Sequence, residues 1–253
     1  MNISELLKPN DIEPIEFDIQ KLRNHTGIIS VVRDLRLLLE QYGDAKLFGG
    51  SVRDAILGID NTSDYDFFTS INRDTILNEL KKTNTSWELK LNEIVVRFIL
   101  NNSYEIDIRT SAEKDIGLYA DFTINAITVD QNMEVIDDVN GITDLEARKL
   151  VYCQSIIPNV ETKFANIIRA IRMMCQKGMW TDSDTWEQSV EASLFFDSPK
   201  SDIYFYQKKD KMIGKLMFLT TLNRLQRERA LGLFGTLNSN RLDQLVQEII
   251  NSG

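Results

Sequence analysis

The sequence predicts an α+β protein: a mixed sheet with helices over residues 28–155, an all-helical module over 156–253, and an N-terminal extension over 1–27. Three observations carry this. Short segments rich in β-branched and aromatic residues recur between Lys46 and Ile136, which is strand composition at strand length. Amphipathic helical stripes are interspersed among them. From about Glu161 onward only the helical period remains, and no internal repeat or low-complexity tract interrupts it.

Ile28, Val31, Val32, Leu35, Leu38, Leu39 and Tyr42 recur at three- and four-residue spacing, predicting a helix that ends near Gly43. Lys46 to Phe48 reads as a strand entering Gly49-Gly50, and Ser51 to Leu57 as a helix with Gly58 in its C-terminal cap. Tyr65 to Phe68 is a second strand, followed by a helix through Ile76, Leu77 and Leu80. Trp87 to Leu91, Ile94 to Leu100 and Tyr104 to Arg109 are strands, the last two joined by the hairpin chemistry of Asn101-Asn102-Ser103. Ile127 to Val129 and Val135-Ile136 complete the sheet. Helices follow over a stripe from Phe164 to Cys175 stopped by Gly178, then Thr185 to Phe195, Gln207 to Leu219, Leu222 to Phe234 and Arg241 to Ile250.

Composition narrows the chemistry. Cys153 and Cys175 stand far apart and His25 is the single histidine, which excludes a zinc site built from Cys and His. No apolar run approaches the roughly 18 residues that span a bilayer, so no membrane partner is expected. Met1 to Phe17, with Glu5, Asp11, Glu13 and Glu16, lacks the basic-then-apolar design of a signal peptide, and a cytoplasmic location is the expectation. A net charge of −9 repels phosphate backbones at long range, so any nucleic-acid contact needs a local basic patch and divalent cations.

The informative segment is Gly49-Gly50-Ser51-Val52-Arg53-Asp54, then Leu57-Gly58, then Asp64-Tyr65-Asp66. Two glycines between a strand and a helix let the backbone approach a triphosphate closely, and Arg53 in the first turn is within reach of a phosphate oxygen. Asp64 and Asp66 share one strand face because side chains alternate with period two. Paired carboxylates repel unless a cation lies between them, and oxygen ligands suit magnesium, Mg2+. Asp107 is the candidate third acid, on a strand that turns Glu105, Asp107 and Arg109 to one face; Glu105 is the fallback. Each fragment alone is an ordinary turn or a solvated strand end; the combination in this order is specific.

These residues resemble the head signature of the class II CCA-adding tRNA nucleotidyltransferase and bacterial poly(A) polymerase family. The likeness continues through Asp121-Phe122-Thr123-Ile124-Asn125-Ala126, similar to a DFTINA stretch, and Asp138 to Leu145, similar to a D-x-x-x-G-x-x-D-L segment. Ile167-Ile168-Arg169-Ala170-Ile171-Arg172 resembles the R-A-x-R helix that follows. The resemblance implies a polymerase-β-like nucleotidyltransferase palm with a helical neck and body, with Asp64, Asp66 and Asp107 holding magnesium. It implies that Gly49, Gly50, Ser51 and Arg53 face the triphosphate, that Asp121 and Asn125 seat the nucleotide, and that Arg169 and Arg172 line its pocket from the neck.

Departures from that pattern bear on specificity. Thr162, Lys163 and Asn166 stand where the family has E-D-x-x-R, and Lys163 cannot accept a hydrogen bond from a base edge. Tyr119-Ala120 replace a basic pair, and only residues 156–253 follow the palm. Lys208, Lys209, Lys211 and Lys215, preceded by Tyr204, Phe205 and Tyr206, are candidate RNA contacts, or equally a solvated face over packed aromatics. The expected function is transfer of nucleoside monophosphates from NTPs, ATP and CTP foremost, to an RNA 3′ end, with tRNA as the leading acceptor. Modification of a protein or small-molecule hydroxyl, or a catalytically retired binding protein, are the alternatives.

Overall fold

The computed structural model describes residues 2–39, 41–59, 64–83, 85–90, 94–101, 104–110, 120–154, 165–199, 210 and 212–252. They form two compact units, Glu16–Leu145 and Met1–Ile15 with Glu146–Gly253.

The first unit is built on a seven-stranded sheet of order β3-β4-β5-β2-β1-β6-β7. The strands are β1 (Ala45–Phe48), β2 (Asp64–Thr69), β3 (Trp87–Lys90), β4 (Val95–Leu100), β5 (Tyr104–Thr110), β6 (Thr128–Val129) and β7 (Val135–Ile136). Only β2 and β5 run parallel; every other pairing is antiparallel. Leu47, Phe67, Ile108 and Val96 lie in register across one face, and all four are buried. That face meets helix α3 (Thr26–Leu39), whose Ile28, Val31, Val32, Leu35 and Leu39 are the buried stripe, and α3 packs in turn against α5 (Arg73–Lys82). Burying one face leaves the other free for polar residues.

The shorter helices of this unit are α2 (Ile19–Arg23) and α4 (Gly50–Ile56). Two local expectations shift. Tyr42 lies past the end of α3, where its hydroxyl donates to Glu79, and Gly43 turns the chain at φ 146°. In the D-x-x-x-G segment Asp137, rather than Asp138, organises the turn, its carboxylate accepting from Val139, Gly141 and Ile142 N–H groups at 3.3, 2.8 and 2.9 Å. A Cβ on Gly141, at the start of α6 (Gly141–Glu146), would collide with the Thr123 carbonyl.

In the second unit, α7 (Ala165–Gln176) buries Ile167, Ile168, Ile171 and Met174, the stripe read from the sequence. Gly178 follows at φ 64°. Helix α8 (Ser183–Ser193) is capped by Asp182, whose carboxylate accepts from Thr185 N–H at 2.8 Å, and α9 (Arg224–Phe234) by a reciprocal Asn223–Gln226 capping box. The chain ends in α10 (Asn240–Ser252). The expected helix over Gln207 to Leu219 is helical at 212–216 and tightens into a 3-10 turn at Met217–Thr221, residues 207–209 lying outside the described set.

The unit boundaries differ from the reading of 1–27, 28–155 and 156–253. Met1–Ile15, including α1 (Ile3–Leu7), packs with the helices because Leu6 and Leu7 are buried there and their carbonyls accept from the Arg229 guanidinium at 3.0 and 3.4 Å. Gly232 permits the approach, since a Cβ there would sit 2.7 Å from Leu6. The other boundary falls at Leu145 rather than near 155: Leu150 N–H donates to the Trp180 carbonyl at 2.7 Å, holding the segment after α6 in the helical unit.

Candidate active site

The glycine corner is set by backbone geometry. Gly49 adopts φ 85°, ψ −149°, a conformation essentially confined to glycine. Its N–H donates to the Asn125 carbonyl at 3.1 Å, and a Cβ at this position would stand 3.3 Å from Asp66 Oδ2. The corner is thereby tied to the second motif and pressed against the acid strand.

Arg53, expected to reach a phosphate, is only 8% exposed. Its Nη1 donates to Asn125 Oδ1 at 2.6 Å and its Nε to Asp54 Oδ1 at 2.8 Å. Asn125 Nδ2 in turn donates to Asp121 Oδ1 at 2.6 Å, which also accepts from Phe122 N–H at 2.9 Å. Asp54, Arg53, Asn125 and Asp121 form one hydrogen-bonded chain joining Gly-Gly-Ser-Val-Arg-Asp to the DFTINA stretch. Ser51 is buried, its hydroxyl donating to the Phe48 carbonyl at 3.4 Å. In this structure Arg53 and Ser51 hold the corner's shape.

Strand register sets the acids on neighbouring strands. β2 and β5 are direct neighbours and parallel, with Asp66 opposite Asp107 and Asp64 opposite Glu105. Burial, then the charges of Asp107 and Glu105, hold the Asp64 carboxyl above the usual carboxylate range against the opposing pull of Arg97 and Lys90. A carboxyl raised in this way by neighbouring acids belongs to a cation-seeking set of hard oxygen donors.

One cation at this set comes from the chain itself. Arg97 on β4 faces Asp107 in register and grips both its oxygens, Nε to Oδ1 and Nη2 to Oδ2 at 2.5 Å each, while Nη1 pairs with Glu105. Sequence reading missed Arg97, although a lone charge in Val95-Val96-Arg97-Phe98 on a half-buried strand was its signal. With Asp107 and Glu105 turned to the guanidinium, no three His, Cys, Asp or Glu side chains among the described residues group as a metal site. The donor chemistry fits a divalent cation, the carboxylates of Asp64 and Asp66 being hard oxygen donors from one strand face.

Two relatives resemble the chain in sequence. A CCA-adding enzyme of Bacillus pumilus (strain SAFR-032) is 30% identical over 170 residues, 60% of this chain and 42% of the relative. Another, of Lactococcus lactis subsp. lactis (strain IL1403), is 24% identical over 204 residues, 72% of this chain and 50% of the relative. In sequence this chain is similar to CCA-adding enzymes. It spans about half the length of the curated CCA-adding enzymes it matches. No protein-family model matches it.

The fold agrees with that of solved CCA-adding enzymes. The Bacillus stearothermophilus CCA-adding enzyme in complex with CTP superposes with a TM-score of 0.66 at 19% identity, over 85% of this chain and 52% of the other. The Thermotoga maritima CCA-adding enzyme, complexed with tRNA, superposes at 0.61 and 18% identity, over 95% and 55%. The α+β class and the nucleotidyltransferase palm predicted from the sequence are those of the CCA-adding enzymes.

Other predicted residues belong to the helical unit or lie outside the described set. Arg169 and Arg172 are exposed on α7, in the helical unit. Lys215 is half-buried in the helical stretch at 212–216, while Lys208, Lys209 and Lys211 lie outside the described residues, as do Thr162, Lys163 and Tyr119. Asn166 is half-buried in the first turn of α7. Among the described residues no helix is long and apolar enough to cross a membrane.

Proposed function

We propose that this chain is a template-independent nucleotidyltransferase that adds nucleoside monophosphates from NTPs, with ATP and CTP as the foremost donors, to the 3′ end of tRNA. The observation that carries the reading is the register placing Asp66 beside Asp107 and Asp64 beside Glu105, against a glycine corner locked by Asn125. The CTP, ATP and tRNA complexes of its structural neighbours support the same substrates.

In the reaction the acceptor's 3′ oxygen forms a bond to the α-phosphorus, the bond from that phosphorus to the bridging oxygen breaks, and pyrophosphate leaves with those electrons. The hydroxyl proton passes to solvent or to a carboxylate of the cluster. Magnesium, when bound by Asp64, Asp66 and Asp107, supplies positive charge that favours the ionised hydroxyl and offsets charge on the phosphates. The chain's own residues supply placement. Asp64 and Asp66 project from one strand face, so their oxygens are fixed by backbone rather than by long side chains. The Asp54–Arg53–Asn125–Asp121 chain keeps Gly49 turned toward the triphosphate. Fixed donors of this kind account for most of phosphoryl-transfer catalysis. Asp121 and Asn125 serve the nucleotide from the inner end of that chain. The reaction belongs to a cytoplasmic setting.

The test is direct. With tRNA lacking its terminal CCA, magnesium and each labelled NTP in turn, the wild type extends the RNA, and Asp64→Ala and Asp66→Ala abolish extension. If no NTP is incorporated into RNA, the proposal fails. Label appearing instead on polypeptide or small molecules moves the acceptor to another hydroxyl. Loss of NTP-dependent thermal stabilisation in wild type as well as variants marks a retired fold.

A further inference from the structure

The acid-bearing face of the sheet is organised in rows. One row reads Phe48, Asp66, Asp107, Arg97, Glu88 across β1, β2, β5, β4 and β3. Two residues further along β2 the next row reads Lys46, Phe68, Arg109, Val95, Lys90. The step between them is about 7 Å at strand rise. The first row carries the acids, and the second carries three cations: Lys46, Arg109 and Lys90.

These rows meet in a cavity of about 90 Å³ lined by Asp66 and Asp107 on one side and Lys90 and Arg109 on the other, with Phe48 and Val95 between. Lys90 also bridges Glu88 at 3.1 Å on the sheet's solvated edge, a pair weak enough to exchange for a stronger anion. Lys46 lies over the Phe68 ring at 6.0 Å. In a chain whose overall charge repels phosphate, a cationic row one step from the acids is the local basic patch that nucleic-acid contact requires.

Polarity follows from topology. β1 runs antiparallel to β2 with Phe48 opposite Asp66, so Gly49 and Gly50 lie past the acid row toward the start of β2, where Asp64 sits. The cationic row lies on the other side, toward the end of β2. In-line transfer requires the attacking oxygen and the departing pyrophosphate on opposite sides of the α-phosphorus. A triphosphate held at the glycine corner therefore leaves the cationic side for the acceptor.

We infer that Arg109 and Lys90 bind the last phosphodiester of the acceptor RNA and so place its 3′ hydroxyl at the acid row. This rests on the proposed nucleotidyltransferase function. The residues act on the acceptor, not on the NTP, and the consequence is a separation of kinetic constants.

The experiment measures tRNA affinity by fluorescence anisotropy between 50 and 200 mM salt, values at which counterion release is readily seen, alongside the KM for tRNA and for CTP. Lys90→Gln and Arg109→Gln should each weaken tRNA binding about tenfold and lower the salt slope by about 1. The KM for CTP should stay unchanged, and Arg109→Lys should keep the wild-type salt slope. Thermal melting checks that each variant is folded; should Arg109→Gln not fold, Lys90→Gln and Arg109→Lys still decide the matter. A rise in KM for CTP with tRNA affinity unaltered would assign the row to the donor phosphates and overturn the inference, as would wild-type affinity and slope in Lys90→Gln. Wild-type protein that binds tRNA but extends it with no NTP would defeat the functional reading separately.

Discussion

Replacing Gly49 by alanine tests whether the corner is built by backbone geometry. The perturbation adds one methyl group and alters no charge. Its cost has two parts in the structure. The residue's φ of 85° and ψ of −149° lie in a region that costs a non-glycine residue about 1–3 kcal/mol. The new Cβ would also stand 3.3 Å from Asp66 Oδ2, closer than ordinary packing, so strand β2 or the corner must yield by a few tenths of an ångström. The expected result is a loss of about 1–3 kcal/mol in urea unfolding. The loss in nucleotide incorporation should be larger than that stability change implies, approaching 10²-fold if Asp66 moves by about an ångström. A Gly49→Ala protein within about 0.5 kcal/mol of wild type, with unchanged incorporation, would refute the claim that φ and the Asp66 contact demand glycine there.

Three more outcomes are expected. Arg97→Gln removes the guanidinium that occupies both Asp107 oxygens and should tighten Mn2+ binding, measured by electron paramagnetic resonance, about tenfold, equivalent to about 1.4 kcal/mol; weaker binding would mean that Arg97 orients Asp107 for the ion instead of competing with it. Arg229→Met leaves the carbonyls of Leu6, Met174 and Met179, now served at 2.6–3.0 Å, without their buried donor. It should cost about 3 kcal/mol or more in urea unfolding of the helical unit, and a loss below about 1 kcal/mol would disprove that the network ties the N-terminal segment down. Burial pushes the Cys175 thiol up to about 11; because its folded value exceeds the unfolded one, its stabilising contribution is intact below about pH 8.5 and fades as pH rises toward 11. Alkylation at pH 8 should therefore label half-buried Cys153 well before Cys175, and equal labelling rates would contradict the burial.

The strands, the helical stripes and the order of the motifs were legible in the sequence because each is a local pattern: period two, period 3.6, and glycines beside caps. Asp64 and Asp66 share a face by strand alternation alone, and the stripe of α7 needed nothing beyond spacing. Asp107 was legible as the candidate third acid, but its place directly opposite Asp66 was not, since that comes from a parallel pairing across 40 residues of intervening chain, residues 67–106. Register is a non-local choice. For the same reason only the tertiary structure brought Arg97 onto Asp107, turned Arg53 inward to Asn125, and set Lys90, Arg109 and Lys46 in one row. It also decided that Met1–Ile15 packs with the helices, because whether Leu6 is buried depends on a surface more than two hundred residues away, around Arg229 and Gly232. Sequence determined which chemical groups this chain can offer; packing and register, which minimise buried unpaired polar groups over the whole unit, determined which of them meet.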